Sequence, residues 1–249
     1  MTTTRLLLLH GMDGIGSVWN GVIDQLRAEA AARPGSGAGL NMLAPDLAGH
    51  GAGPPLARYR TADLAEDLFN RFGSQLLGGP LVIVGHSLGG VVGLALAAAY
   101  PELELRQVIA SSCKTVWSEA DLAGMTRVAD KGVATFEDQA AALERFLRVA
   151  GLSGLLDPET AQAGIMAAGT GWRLAVDPEV HRVDVPDFAA AVAAVKAPVL
   201  LVTGELDPMA PPADLARFEP PLHVMAGAGH NLHVENPAAM AALIAPYLA

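Results

Sequence analysis

Apolar residues along this chain fall into two textures. Short runs at 5–9, 40–44, 81–84, 107–110, 198–204 and 222–225 are rich in Leu, Val and Ile and stop at turn-forming residues. Their brevity and lack of alternation predict strands buried on both faces of a parallel sheet. Between them lie longer stretches with apolar residues three or four apart, such as Val18, Val22 and Leu26, or Leu64, Leu68, Phe72 and Leu76. That spacing predicts helices over 17–32 and 61–77, the second capped by Thr61. Further helices are expected over 91–100 and 237–248. Strands alternating with helices give the α/β class, with a mostly parallel sheet of about six strands and helices on both faces. Residues 33–39 contain Pro, Ser and three glycines, and predict a flexible surface connection.

From 111 to 196 the strand-like runs vanish. Helices are expected over 118–130, 136–150, 158–168 and 186–194, with Phe136, Leu143, Phe146 and Leu147 sharing a face. The expected organisation is a core of 1–110 and 197–249 carrying an inserted helical cap at 111–196. One stretch could be mistaken for a membrane span, because 72–101 has no Asp, Glu, Lys or Arg. Gly78, Gly79 and Pro80, then Gly85, Gly89 and Gly90, divide it into a turn, a buried strand and a buried helix.

Composition narrows the class. The 249 residues fit one domain with an insertion, and 51% of them are apolar, enough for a large interior. A formal charge of -10 argues against nucleic acid or an anionic membrane surface as partner. The single cysteine, Cys113, excludes an internal disulfide and a cysteine-rich metal site. No long apolar segment follows Arg5 in the manner of a signal peptide, so a cytoplasmic protein is expected.

The chemistry centres on Gly85-His86-Ser87-Leu88-Gly89-Gly90, set between a strand and a helix. A strand turning sharply into a helix through Gly-x-Ser-x-Gly projects the serine hydroxyl from a strained turn. Glycines at 85 and 89 remove side chains where strand and helix pack closest. The Leu88 amide, at the positive end of the helix, points where an oxyanion would form. A serine needs a base, and the base an orienting group. Asp207 and His230 follow strands that end on the same edge of the sheet as Ser87. Glu205 is a competing acid, although the Gly204-x-x-Asp207 spacing favours Asp207.

These motifs resemble the α/β-hydrolase family over nearly the whole chain. The resemblance rests on His10-Gly11, Asp46 with Gly49-His50-Gly51, the Ser87 turn, Gly204 with Asp207 and Pro211, and Gly229-His230 with Glu235-Asn236-Pro237. It implies Ser87 as nucleophile, His230 as base and then acid, Asp207 as orienting acid, and the Met12 amide as a second oxyanion donor beside Leu88. Two antiparallel strands common at the start of family members have no counterpart here, so a trimmed sheet edge is expected.

The expected function is hydrolysis of a carboxylic ester or related acyl bond of a small, mostly apolar substrate, through an acyl-serine. No metal or other cofactor is expected, and the chain would act as a monomer or homodimer. The same three residues could also serve C–C bond hydrolysis, metal-free perhydrolysis, or a biosynthetic acyltransferase or cyclase. A non-catalytic ligand receptor is the alternative outside catalysis. Trp117 and Trp172 are candidates for lining the substrate pocket, and packing inside the insert accounts for them equally well. His10, His50 and His86 read as bracing residues, Cys113 as a buried thiol, and Arg58 and Arg60 as a solvated loop. His230, His233 and Glu235 have metal-like spacing, but the serine chemistry explains His230 better.

Overall fold

The computed structural model of the protein describes residues 4–32 and 40–248. The expected connection at 33–39 lies outside the described residues. In chain order the elements are β1 (Arg5–Leu9), α1 (Asn20–Ala32), β2 (Asn41–Leu43), α2 (Thr61–Leu76), β3 (Leu81–His86), α3 (Leu88–Ala99) and β4 (Leu105–Ser111). After them come α4 (Glu119–Lys131), β5 (Thr135–Phe136), α5 (Gln139–Val149), β6 (Ile165–Ala168), β7 (Gly171–Leu174) and α6 (Phe188–Ala194). The chain closes with β8 (Val199–Gly204), α7 (Pro212–Leu215), β9 (Leu222–Met225), α8 (Leu232–Glu235) and α9 (Pro237–Ile244).

Six strands form one sheet in the order β2-β1-β3-β4-β8-β9, and every pairing is parallel. The uncharged runs are explained by burial on both faces. Leu7, Leu9, Leu81, Ile83 and Val108 point into one apolar cluster with α2 and α3. Leu6, Leu8, Val82, Val84 and Ile109 alternate into a second, beneath α1 and α9. A period of two in the strands thus divides two cores across a single sheet. The strand order reverses between β1 and β3, so the crevice beyond their carboxyl ends is the site this topology prepares for a ligand. The chargeless stretch that could pass for a membrane span is β3 with α3. Among the described residues no helix is long and apolar enough to cross a membrane.

Residues 111–196, the expected insert, depart from the expected helices. Three of them form as α4, α5 and α6, but 158–168 becomes a short 3-10 helix, Thr160–Gly164, followed by β6. Strand β7 pairs antiparallel with both β6 and β5, giving a separate three-stranded sheet. Phe146 of α5 is fully buried in the second core cluster. An added side chain at Gly164 would run into its ring, which explains a glycine there.

The N-terminus of α2 also differs from expectation. Thr61 lies inside the helix and Arg60 is the capping residue, whose N–H is taken by Asp63 at 3.2 Å. Both the N–H and the hydroxyl of Thr61 instead donate to Asp184 of the insert, at 2.6 and 2.9 Å. The insert therefore satisfies a helix end of the core.

The loop after β2 is held by Asp46. Its carboxylate accepts from Gly16 N–H at 2.6 Å and Ala52 N–H at 2.8 Å, tying the loop to the segment after β1. Replacing Asp46 with Ala leaves both donors unpaired, at a cost of about 2 kcal/mol. Urea unfolding should show that loss, and an unchanged midpoint would contradict the bracing role of Asp46.

Candidate active site

Among the described residues, three that are not glycine have a left-handed backbone: Asp13, Ser87 and Ser112, with φ of 59°, 51° and 51°. They follow β1, β3 and β4, so all three lie at one edge of the sheet. Strain of this kind persists only where surrounding structure holds it in place. At Ser87, whose ψ is -117°, β3 passes directly into α3. The Ser87 N–H donates to Ser111 of β4 at 2.7 Å, and its carbonyl accepts from Gly90 and Val91 N–H. A side chain at Gly85 would collide with the Gly89 backbone, and one at Gly89 with the Leu9 and His10 carbonyls.

Asp207 sits after β8 and is 2% exposed. Its two oxygens each lie 3.0 Å from His230 Nδ1. Oδ1 also accepts from the N–H groups of Met209 at 2.8 Å and Ala210 at 3.1 Å. Burial pushes the Asp207 pKa up, but the hydrogen bond and charge of His230 outweigh it and hold the carboxyl below its usual range. The Thr203 hydroxyl pins this turn by donating to Ala210 at 2.6 Å. Glu205, the competing acid, is exposed and accepts from Gly227 N–H at 2.8 Å, which makes it a turn brace.

The His230 loop is clasped by Glu235, whose oxygens accept from Gly229 N–H at 2.6 Å and Asn231 N–H at 3.0 Å. His86 Nε2 donates to the His230 carbonyl at 2.9 Å. The Asn231 amide reaches into the insert and donates to the Ala150 and Gly151 carbonyls at 3.2 and 3.0 Å.

The loop carrying Met12 is braced by two buried histidines. His10 donates from Nδ1 to the Gly11 carbonyl at 2.8 Å and accepts at Nε2 from Leu47 N–H at 2.9 Å. His50 donates from Nδ1 to Ala48 at 3.1 Å and accepts at Nε2 from Asp13 N–H at 3.3 Å. Each ring is thus used as a neutral donor–acceptor. Burial lowers the His10 pKa to about 4, and burial with the nearby His10 lowers that of His50 to about 3.

Ser87, Met12 and Met209 line two cavities at once. One, of about 420 Å³, also holds His230, His86 and His233 in its wall. The other, of about 390 Å³, is also lined by Leu88 and Trp117. Of the sequence candidates, the structure therefore gathers Ser87, Met12, Leu88, Asp207, His230 and Trp117 at one edge. Trp172 is placed elsewhere, on β7 against the second core cluster. The Cys113 thiol is buried beneath the turn, 3.5 Å from the Ser87 carbonyl, and burial followed by the Asp207 charge raises its pKa to about 12. Arg58 and Arg60 are exposed and pair with Asp63.

Two groups escaped sequence reasoning. His181 of the insert lies 3.1 Å from the Asp13 carboxylate, a pairing across 168 positions that no local pattern signals. The His233 ring is buried against Trp19 and His86, with ring centroids 4.3 and 4.5 Å away, a packing role that its spacing from His230 did not signal. Among the described residues no group of three or more His, Cys, Asp or Glu is placed to hold a metal ion.

Comparison with known proteins bears on the fold and family of the chain. A model described as "Alpha/beta hydrolase family" matches residues 6–243. The 2-(acetamidomethylene)succinate hydrolase of Mesorhizobium japonicum is 28% identical over 244 residues, covering 93% of this chain and 83% of that protein. Lipase LipV of Mycobacterium tuberculosis is 34% identical over 98 residues, 39% of this chain and 33% of its own length. An uncharacterized Mycobacterium bovis protein is 36% identical over 43% of this chain and 28% of its own length, so the match spans a third or less of these mycobacterial relatives. Among solved structures, the thioesterase domain of the curacin biosynthetic pathway superposes with a TM-score of 0.76 at 25% identity, covering 97% of this chain and 90% of that one.

His10 and His50 must gain protons to unfold in acid. Their folded pKa values lie below the unfolded 6.5, so stability is complete above pH 6.5 and is lost as pH falls toward 4. Each should remove about 1.4 kcal/mol per pH unit within that window. A lower urea midpoint at pH 5 than at pH 7 is expected, and equal midpoints would contradict two buried neutral rings.

Proposed function

The chain belongs to the alpha/beta hydrolase family, and on that premise we propose that it hydrolyses carboxylic esters through an acyl-serine formed at Ser87. Within this reading, His230 Nε2 takes the Ser87 proton as Oγ attacks the carbonyl carbon. The carbonyl oxygen gains the electron pair and is held by the Met12 and Leu88 N–H groups. Collapse of that adduct breaks the C–O bond, and His230 returns the proton to the departing alcohol. Water then repeats the sequence, losing a proton to His230 and releasing the acid and Ser87. Asp207 fixes the His230 tautomer through Nδ1 and stabilises the imidazolium. Residues 111–196 act as the cap that shapes the pocket.

The observation that carries this reading is the Asp207–His230 hydrogen bond on a cavity wall shared with Ser87, itself held in a strained turn. No step requires a metal or an organic cofactor. A second reading comes from the Mesorhizobium relative, whose name describes a hydrolase of a substituted succinate. The same three residues could serve that chemistry on a dicarboxylate. The cavity beside His230 weighs against it, because its wall carries the Asp13 and Glu235 carboxylates and neither Lys nor Arg.

Ser87→Ala should lower kcat on p-nitrophenyl butyrate by a factor of about 10⁴ or more, with an unchanged circular dichroism spectrum. Undiminished turnover by that variant would remove Ser87 from the reaction.

A further inference from the structure

Ser87 does not border a third cavity, whose lining residues all fall in 111–196 except for Asp13. It measures about 310 Å³, a size that suits a small molecule. It shares Asp13 and Val149 with the 420 Å³ cavity, and Val128 and His181 with the 390 Å³ one, so it lies against both.

Most of its wall is apolar. Val128 and Val133 are 44% and 50% exposed, so solvent reaches apolar surface there that the fold leaves uncovered. Phe136, Val149, Leu174 and Val176 form the less exposed part of the wall. An alkyl chain laid over these residues would remove apolar surface from water on both sides of the contact.

Three ionisable residues complete the lining, and two of them satisfy each other. His181 and Asp13 meet at 3.1 Å, with side chains 10% and 16% exposed. Arg145 is the third. Among the described residues no hydrogen bond or ion pair reaches its guanidinium. Its neighbours one turn away on α5 are Ala141, Ala142, Arg148 and Val149, so no acid lies within helical reach. Glu144 is taken by Arg148 at 3.4 Å, and Asp138 is spent on the Ala141 N–H at the start of α5. Val149 also borders the cavity around His230, whereas Arg145 does not. Arg145 lies one turn back, about 6 Å along the helix axis.

An unpaired guanidinium beside apolar surface open to solvent suits an ionised carboxylate on an aliphatic chain. We propose that this cavity binds such an acid, with its head paired to Arg145 and its chain over Val128, Val133 and Phe136. Aliphatic acids are also a product class of the proposed ester hydrolysis, so the bound acid must be located as well as detected.

The intact protein is titrated with octanoate, 1-octanol and octyltrimethylammonium by calorimetry. It is also irradiated with an octanoic acid carrying a diazirine in its chain, and the labelled peptides are mapped. Octanoate should bind at least about tenfold more tightly than octanol, and the ammonium more weakly than either. Label should fall within 128–136 or 145–149. Arg145→Gln should remove that label and bring the octanoate-to-octanol affinity ratio toward one, with an unchanged circular dichroism spectrum. Val133→Glu, at an exposed position, should weaken octanoate by about tenfold through like-charge repulsion. Equal affinity for acid and alcohol, a preference for the ammonium, or an unchanged ratio in Arg145→Gln would overturn the proposal. Absence of binding would do the same. So would label confined to peptides carrying Trp117 or Met209, which would place the acid in the cavities that Ser87 lines.

Discussion

The site depends on one steric constraint, the turn that carries β3 into α3 at Ser87. A φ of 51° with ψ of -117° is unfavourable for a residue with a side chain. The turn survives because it is held on all sides. Hydrogen bonds fix the Ser87 N–H to β4 and its carbonyl to the first turn of α3. Two glycines let the strand and helix approach until a methyl group would collide with backbone. The two apolar clusters across the sheet hold both elements in place. These contacts hold Ser87 at the carboxyl end of β3, where it lines both cavities.

Around this turn, histidines do different work according to burial. His10, His50 and His86 are kept neutral by burial and serve as internal struts, each using a ring nitrogen to bind backbone. They position the Met12 loop and the His230 loop at the cavity that both line together with Ser87. His230 is left partly exposed, with its side chain 18% accessible and Nδ1 committed to Asp207. Neutral struts carry no charge that would compete with the one His230 would gain on accepting a proton in the proposed reaction. Bracing also comes from the insert, through Asp184 on Thr61, His181 on Asp13, and the Ala150 and Gly151 carbonyls on Asn231.

Much of this was legible in the sequence, for a physical reason. Doubly buried strands must be short, apolar and terminated by turns, so the six runs and their parallel arrangement stood out. The Ser87 turn was legible because its glycines are required by close approach, and Asp207 and His230 because parallel topology restricts a site to one edge. What was not legible depends on contacts distant in sequence. The Ala-rich stretch around 165–168 reads as helix locally, yet it pairs with β7 through a turn at Gly169, whose φ is 58°. Thr61 reads as a cap, but the Asp184 carboxylate 123 positions away takes both its donors. The two tryptophans of the insert could not be distinguished by composition, and only packing separates Trp117 at the cavity from Trp172, which lies partly buried against the second core cluster.

The central claim is that geometry makes one hydroxyl in this chain a nucleophile. The most direct measurement is peptide mass mapping after stoichiometric reaction with a fluorophosphonate. One phosphonyl group on the peptide containing Ser87, coincident with loss of ester turnover, is the result this structure predicts. Modification at any other residue, or continued turnover by protein fully labelled at Ser87, would contradict it.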